Sequence, residues 1–278
     1  MDNKEAYYFE IKPRNAFTLG VRELLAYKEL FYFFTWRDVK VKYKQTVVGL
    51  LWAVIQPLIM MVIFTFFMGK LVVMPPDSMS YPVFAFSGLI LWTMFSSGIT
   101  NAGNSMVTNA QILKKIYFPR LIIPVSSILV ASIDFLVAFV VFIALLIFFQ
   151  QQVDLVEALI FWPAGFALAM ISAFGPGCWL AALNVKYRDF RYVIPFIVQT
   201  LLFVTPVIYP MSIVTTPWMK YVLAINPMYA AITVFRLPMM QGSPDLSLLG
   251  ISLASTLIFF LVGLVYFRKT EMYFADLA

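Results

Sequence analysis

Six stretches of the chain are apolar over the length of a membrane-crossing helix. Two of the uncharged runs, for example, are the 25 residues 45–69 and the 22 residues 246–267. At about 1.5 Å per residue, each run is long enough to cross a hydrocarbon core about 30 Å thick. The pattern predicts an all-α integral membrane protein with six transmembrane helices, at 47–69, 82–104, 121–149, 158–185, 192–209 and 247–267.

The segment 211–245 is apolar, but it is too short for two full crossings with their turns. Within it, Thr216 and Asn226 each precede a proline, which is typical of a helix N-cap followed by proline at the first helical position. We therefore expect two short re-entrant or interfacial helices on the outer side, before the last span. The alternative is an apolar loop packed against the bundle.

Upstream of the first span, apolar residues recur at helical spacing between positions 21 and 36, with charged residues between them. This pattern predicts an amphipathic helix that lies in the membrane surface. The helix leads into the cations Arg37, Lys40, Lys42 and Lys44. Four cations beside a bilayer can hold anionic lipid headgroups or a phosphorylated substrate, or they can serve only to fix the topology.

Two further polar segments separate predicted spans. Residues 109–120 combine a short amphipathic helix with a proline stop at Pro119. Residues 184–191 are short and basic. Each segment is either a docking surface for a partner or an ordinary solvated loop.

Asp134 is the one formal charge inside the predicted spans, about a dozen residues into the third. An ionisable residue at this depth is a candidate for substrate contact or conformational coupling. The structural alternative is a carboxyl group that is hydrogen-bonded to a neighbouring Ser or Thr.

Aromatic residues and prolines mark the first and fifth spans. Aromatic rings can stack on sugar rings and line a path for a polymer, although most such residues face lipid, the core or the interface. The channel-lining candidates are Trp52, Phe64, Phe67, Phe196, Phe203 and Tyr209. The fifth span also holds Pro195, Pro206 and Pro210, so it is a candidate for a gate.

Composition excludes a soluble protein, because 62% of the residues are apolar and 12% are charged, against about 25% charged in a soluble domain. The chain has no histidine, and its single cysteine is Cys178. The usual general base and the commonest metal ligands are therefore missing, which argues against a membrane-embedded transferase.

The charges also predict an orientation. Of the 20 basic residues, 17 fall on one side of the six predicted spans, which places both termini in the cytoplasm. The first 44 residues lack the short apolar core of a cleaved export signal, so we expect the first span to be retained as an anchor. We divide the chain into a cytoplasmic segment, 1–46, with the amphipathic helix, and a transmembrane domain, 47–278.

Several motifs follow one another along the chain. They are WRDVKVKYKQTVVGLLW at 36–52, QPL at 56–58, LKKIYFPR at 113–120, KYRD at 186–189, TPVIYP at 205–210, NPM at 226–228 and FR at 235–236. Together they resemble the membrane subunits of ATP-binding-cassette (ABC) polysaccharide exporters, the type-2 permeases of O-antigen, capsule and teichoic acid systems.

This resemblance implies a six-span subunit that pairs with a second copy and with two cytoplasmic ATPase subunits. It implies that 21–36 is the interfacial helix, 109–120 the coupling helix and 217–240 a gate on the far side. The first and fifth spans would line a channel along the dimer interface. The expected ATPase-coupling residues are Gln111, Lys114, Lys115, Tyr117, Phe118, Arg120, Lys186, Arg188 and Asp189.

The chain has no G-x-x-x-x-G-K-[ST] phosphate loop. This absence is equally typical of a transporter that does not use ATP. The resemblance implies a transporter subunit that binds no cofactor, with ATP and Mg²⁺ held by the partner ATPase and no nucleic acid among its partners. The expected substrate is a lipid-linked polysaccharide of the O-antigen type, exported across the bacterial inner membrane. Alternatives are a capsule or teichoic acid permease, a drug or lipid exporter, and an ion-coupled carrier.

Overall fold

The computed structural model describes residues 21–44, 46, 48–69, 79–116, 118–187, 189–240 and 242–271. Over these ranges the chain forms α-helices joined by short connections. The helices are α1 Val21–Ala26, α2 Lys28–Tyr43, α3 Trp52–Met68, α4 Tyr81–Thr108, α5 Ala110–Lys115, α6 Ile122–Phe148, α7 Leu155–Lys186, α8 Phe190–Val204, α9 Pro217–Ala224, α10 Pro227–Arg236 and α11 Leu246–Glu271.

Five of the predicted spans are confirmed as helices that are long and apolar enough to cross a membrane. They are Gly49–Met68, in which a 3₁₀ turn leads into α3, and the helices α4, α6, α7 and α11. The fifth predicted span, 192–209, is only partly helical, because α8 has 15 residues. It ends where Thr205 adopts an extended conformation before Pro206, since the proline ring disfavours helical geometry in the preceding residue.

The two short helices predicted before the last span are confirmed as α9 and α10. Asn226 caps α10, because its side chain accepts a hydrogen bond from the backbone amide of Met228 at 3.0 Å. Thr216 has extended backbone geometry before α9 but makes no capping bond with its side chain. The two helices meet at a bend of 96° and together are apolar enough to form a broken sixth span or a re-entrant loop.

The amino-terminal helix differs from its prediction in two ways. It is interrupted at Tyr27, between α1 and α2, and α2 continues past position 36 through the basic residues to Tyr43. No glycine or proline lies between Lys28 and Gly49, so nothing in this stretch ends a helix early. Arg37, Lys40 and Lys42 therefore lie on a helix, and their side chains point in different directions.

Helix α4 is the centre of the bundle, and most of its residues between Tyr81 and Met106 are buried. It packs most extensively against α6 and α7, while α10 and α11 pack on the other faces of α7. Aromatic rings fill the space between α6, α7 and α10, with Phe142, Trp162 and Phe235 within 6.2 Å of one another. This core holds the bundle together between its two ends.

Helices α7 and α11 approach so closely that their backbones touch. A Cβ atom added to Gly263 would lie 1.9 Å from the carbonyl oxygen of Gly175. A Cβ atom on Gly175 would in turn lie 2.4 Å from the carbonyl oxygen of Phe259. Only glycine fits at this crossing, as is common where membrane helices pack through small residues.

The bundle has two distinguishable ends. One end carries α5, and we call it the α5 end. It holds the last residues of α4, α7 and α11 and the first residues of α6 and α8. The side chain of Asn184, near the end of α7, donates to the carbonyl of Gly103 and to Asn104 Oδ1, both at 3.0 Å, near the end of α4. The first turns of α4 and α11 lie at the opposite end.

Candidate functional site

A polar cleft of about 460 Å³ opens between α3, α4 and α8. Its uncharged polar lining is concentrated on α4, with one amide each from Gln56 on α3 and Gln199 on α8. The α4 residues recur at helical spacing and therefore share one face of the helix. They are Thr93, Ser96, Ser97, Thr100 and Asn101. This wall presents hydroxyl and amide groups along an otherwise apolar bundle.

Asp134 also lines the cleft, where two side chains from the end of α2 meet its carboxylate. Lys42 Nζ forms an ion pair with Oδ2, and the Tyr43 hydroxyl donates a hydrogen bond to Oδ1. The Asp134 side chain is 8% exposed, against 37% for Lys42. The proposed neighbouring Ser or Thr partner is therefore wrong, because the partners come from a helix about 90 positions upstream.

Burial, together with the hydrogen bond to Asp134, raises the pKa of Tyr43. The phenol therefore keeps the proton that it donates. With the ammonium group of Lys42 on the other oxygen, the carboxylate has a cationic and a neutral partner. This arrangement compensates a charge that would be costly to leave alone at this depth of the bundle.

The four predicted basic residues do not act as one group. Arg37 donates to Asn109 Oδ1 at 2.7 Å and pairs with Asp38 at 2.7 Å, so it ties α2 to the residue that precedes α5. Lys42 is held by Asp134, as described above. Lys40 and Lys44 are exposed, with Lys40 over the ring of Trp36 at 5.1 Å. Within the described ranges, these two lysines are in no ion pair.

Of the aromatic residues expected to line a channel, Trp52 lies in the cleft. Phe64 packs against the hydrophobic core, while Phe67, Phe196 and Phe203 are exposed on surfaces outside the cleft. The lining from α8 comes instead from its neighbouring face, at Pro195, Val198, Gln199 and Leu202. The sixth residue, Tyr209, lies outside the cleft and donates to the backbone carbonyls of Phe203 and Val204.

Helix α5 presents a polar face to the outside. Gln111, Lys114 and Lys115 are exposed, whereas Ile112 and Leu113 pack inward. Phe118 is buried against Phe34 of α2, with ring centroids 5.5 Å apart. Phe118 therefore supports the segment from inside and does not belong to its exposed surface.

The other coupling candidates lie at the same end of the bundle. Arg120 donates from its backbone and its side chain to Glu271, the last residue of α11. Lys186 and Asp189 are exposed between α7 and α8. The structure thus brings the two predicted docking segments together at the α5 end, and Tyr117 and Arg188 lie outside the described residues.

Arg236 belongs to the FR motif at 235–236, but the sequence reasoning did not place it among the candidate site residues. It ends α10, is 5% exposed and stacks on the ring of Phe84 at 3.6 Å. Its guanidinium donates to the carbonyl oxygens of Pro206 and Val207 at 3.1 and 2.7 Å, among other groups. The signal was available, because Arg236 is the one charge between Lys220 and Asp245.

The long apolar helices define a multi-pass membrane protein, and a polar cleft among them suits a protein of the transport class. The match to a protein family makes this more specific. The ABC-2 type transporter family matches residues 29–240, and the chain belongs to this family.

Relatives match most of the chain. An O-antigen export system permease protein RfbA from Klebsiella pneumoniae is 30% identical over 253 residues, covering 90% of this chain and 95% of the relative. An O-antigen export system permease protein RfbA from Myxococcus xanthus is 27% identical, covering 78% and 82%. A polysialic acid transport protein KpsM from Escherichia coli is 24% identical, covering 84% and 91%.

Proposed function

We propose that this chain is the membrane subunit of an ABC transporter that exports a lipid-linked polysaccharide. The observation that carries the proposal is the cleft wall on α4, in a chain that is similar over most of its length to export permeases. Hydroxyl and amide groups can exchange hydrogen bonds with sugar hydroxyls. A wall whose polar groups are mostly uncharged suits a polymer that must slide past it without being held.

The α5 end is the proposed site of the ATPase partner. It gathers the exposed cations Lys114, Lys115 and Lys186, and the excess of basic residues on this side favours the cytoplasm. Both termini would then be cytoplasmic, in a multi-pass protein of the bacterial inner membrane. ATP and Mg²⁺ would be bound by the partner, and two ATPase subunits would serve two copies of this chain.

Helix α3 supports the pairing of two copies. Only three of its residues are buried, and Trp52, Phe66 and Phe67 are exposed on it, although it forms one wall of the cleft. A second copy placed against α3 and α8 would close the cleft into a channel. The open lysines Lys40 and Lys44 would meet the phosphate groups of the lipid carrier, whereas Arg37 and Lys42 are engaged within the protein.

The test has two parts. The tagged chain is extracted gently from its native membrane, and an ABC ATPase is expected among the co-purified proteins in equal amount. A strain that lacks the chain is then complemented with the parent, with the double variant Ser97→Ala and Thr100→Val, or with Thr200→Val on the exposed side of α8. We expect the cleft variant to reduce surface polysaccharide and the α8 variant to preserve it. Full export by the cleft variant would contradict the proposed path.

A further inference from the structure

A second cavity, of about 450 Å³, lies at the end of the bundle opposite α5. It is bordered by the first turns of α4 and α11, the segment after α8, and the helices α9 and α10. Its volume is within the range of about 300–1,000 Å³ that is typical of small-molecule sites. Two cations, Lys220 and Arg236, line it.

The charge of Arg236 is not neutralised by a carboxylate. Its donors are taken by a hydroxyl and backbone carbonyls, all of them neutral groups. The acceptors are Ser87 Oγ and the carbonyl oxygens of Phe84, Pro206 and Val207. In the part of the chain that the structure describes, no acidic side chain forms an ion pair with Arg236 or with the half-buried Lys220. A buried cation without a counter-ion favours the entry of an anion.

The carboxylate that does line the cavity is already engaged. Asp245 Oδ1 accepts hydrogen bonds from the backbone amides of Ser247 and Leu248, at 3.0 and 3.4 Å, and so caps the start of α11. Among the lining residues that the structure describes, two cations therefore face one carboxylate, which gives this lining a net positive charge. Further hydrogen-bond donors come from the hydroxyl-bearing residues Ser212 and Thr233 in the same lining.

The remaining wall is apolar and includes Met79, Phe84, Pro206 and Leu248. Cations beside an apolar wall match a molecule that joins a phosphate group to a hydrocarbon chain. We infer that this cavity binds the phosphate-bearing headgroup of a lipid. The two sources of such a headgroup are a polyprenyl pyrophosphate carrier and a membrane phospholipid, and only the first of them rests on the proposed function.

The inference is tested by binding, without any transport assay. The full-length chain is purified in a non-ionic detergent and titrated with a polyprenyl pyrophosphate and, separately, with phosphatidylglycerol, and bound lipid is counted by native mass spectrometry. The variants are Lys220→Gln and Lys220→Glu, which change a partly exposed side chain that forms no ion pair within the described residues. The matched control is Lys115→Gln, at the α5 end.

We expect Lys220→Gln to weaken binding about fivefold, the effect of one cation near a phosphate, and Lys220→Glu to weaken it further. Lys115→Gln should bind as the parent does. A loss confined to polyprenyl pyrophosphate assigns the site to the carrier, and an equal loss for both lipids assigns it to phosphate headgroups in general. Unchanged binding by both Lys220 variants, or an equal loss in the control, would overturn the inference. The lipid-binding results do not depend on ATPase association or on the export of the cleft variants. The proposed function is therefore tested by separate experiments.

Discussion

Asp134 and Lys42 lie 92 positions apart in the sequence and form an ion pair at the polar cleft. The pair joins the end of α2 to the middle of α6. Asp134 lies 12 residues after Ile122, where α6 begins, which places the contact about 18 Å along that helix. A helix that the sequence predicts at the membrane surface is thus fastened well inside the bundle.

We expect Lys42→Met to lower the free energy of unfolding by about 1–3 kcal/mol, because it leaves the Asp134 carboxylate buried without its cationic partner. The double variant with Asp134→Asn should be more stable than Lys42→Met alone, since it removes the unpaired charge. Lys40→Met is the matched control on the same helix and should have little effect. A double variant no more stable than Lys42→Met would argue against the pair.

Labelling of Cys178 can be used to measure the stability of the parent protein and its variants. It is the one cysteine in the chain and is fully buried, so a thiol-reactive fluorophore should label it only as the protein unfolds. Melting curves recorded with this dye apply to every variant without introducing a reporter. Rapid labelling of the intact protein at low temperature would contradict the buried position of Cys178.

The crossing of α7 and α11 predicts a sharp difference between two glycines of α11. Gly263→Ala should lower stability by about 1–3 kcal/mol, because its methyl group would overlap the backbone of Gly175. Gly250→Ala meets nothing within 4 Å and should leave stability unchanged or raise it by up to about 1 kcal/mol. The same melting curves compare the two, and equal effects would mean that the helices do not touch at Gly263.

Two aromatic residues test whether the exported polymer passes through the cleft. Trp52→Ala should reduce export, because Trp52 lines the cleft, whereas Phe203→Ala should export normally, because Phe203 lies outside it. Surface polysaccharide is measured in a strain complemented with each variant, after the amount of inserted protein has been equalised. A defect in Phe203→Ala with normal export in Trp52→Ala would place the path elsewhere.

The exposed face of α5 predicts where the ATPase binds. The double variant Lys114→Gln and Lys115→Gln should co-purify less ATPase and show lower ATP hydrolysis, while melting as the parent does. The control is the double variant Lys28→Gln and Lys269→Gln, which removes the same charge from exposed positions on α2 and α11. Equal loss of ATPase in both would indicate a general charge effect and not a docking surface.

The sequence predicted those features of the fold that depend on a local pattern of residues. Apolar runs located five spans, and the Asn226–Pro227 pair located the start of α10, because burial and capping act over a few residues. The end of α8 was also within reach, since Thr205 precedes a proline. The helical spacing of the hydroxyl groups on α4 was also predictable from the sequence, whereas aromatic residues are too abundant in the spans to mark the cleft.

Pairings between distant segments were beyond the sequence pattern. The partners of Asp134 come from α2, and the acceptors of Arg236 come from α4 and the segment after α8. The local pattern of residues does not indicate which of many polar groups will meet across a bundle. The depth of Asp134 was therefore predictable from the sequence, and its partners were not.

The short helix α8 and the side chain of Arg236 depend on each other. The fifteen residues of α8 rise only about 22 Å, and the segment after Thr205 continues without a helix. The carbonyls of Pro206 and Val207 therefore need donors from elsewhere. Arg236 supplies those donors. Pro206 and Arg236 should therefore covary among homologous sequences. Homologues with a continuous helix at this position should tolerate the loss of Arg236, and homologues that keep the break should retain it.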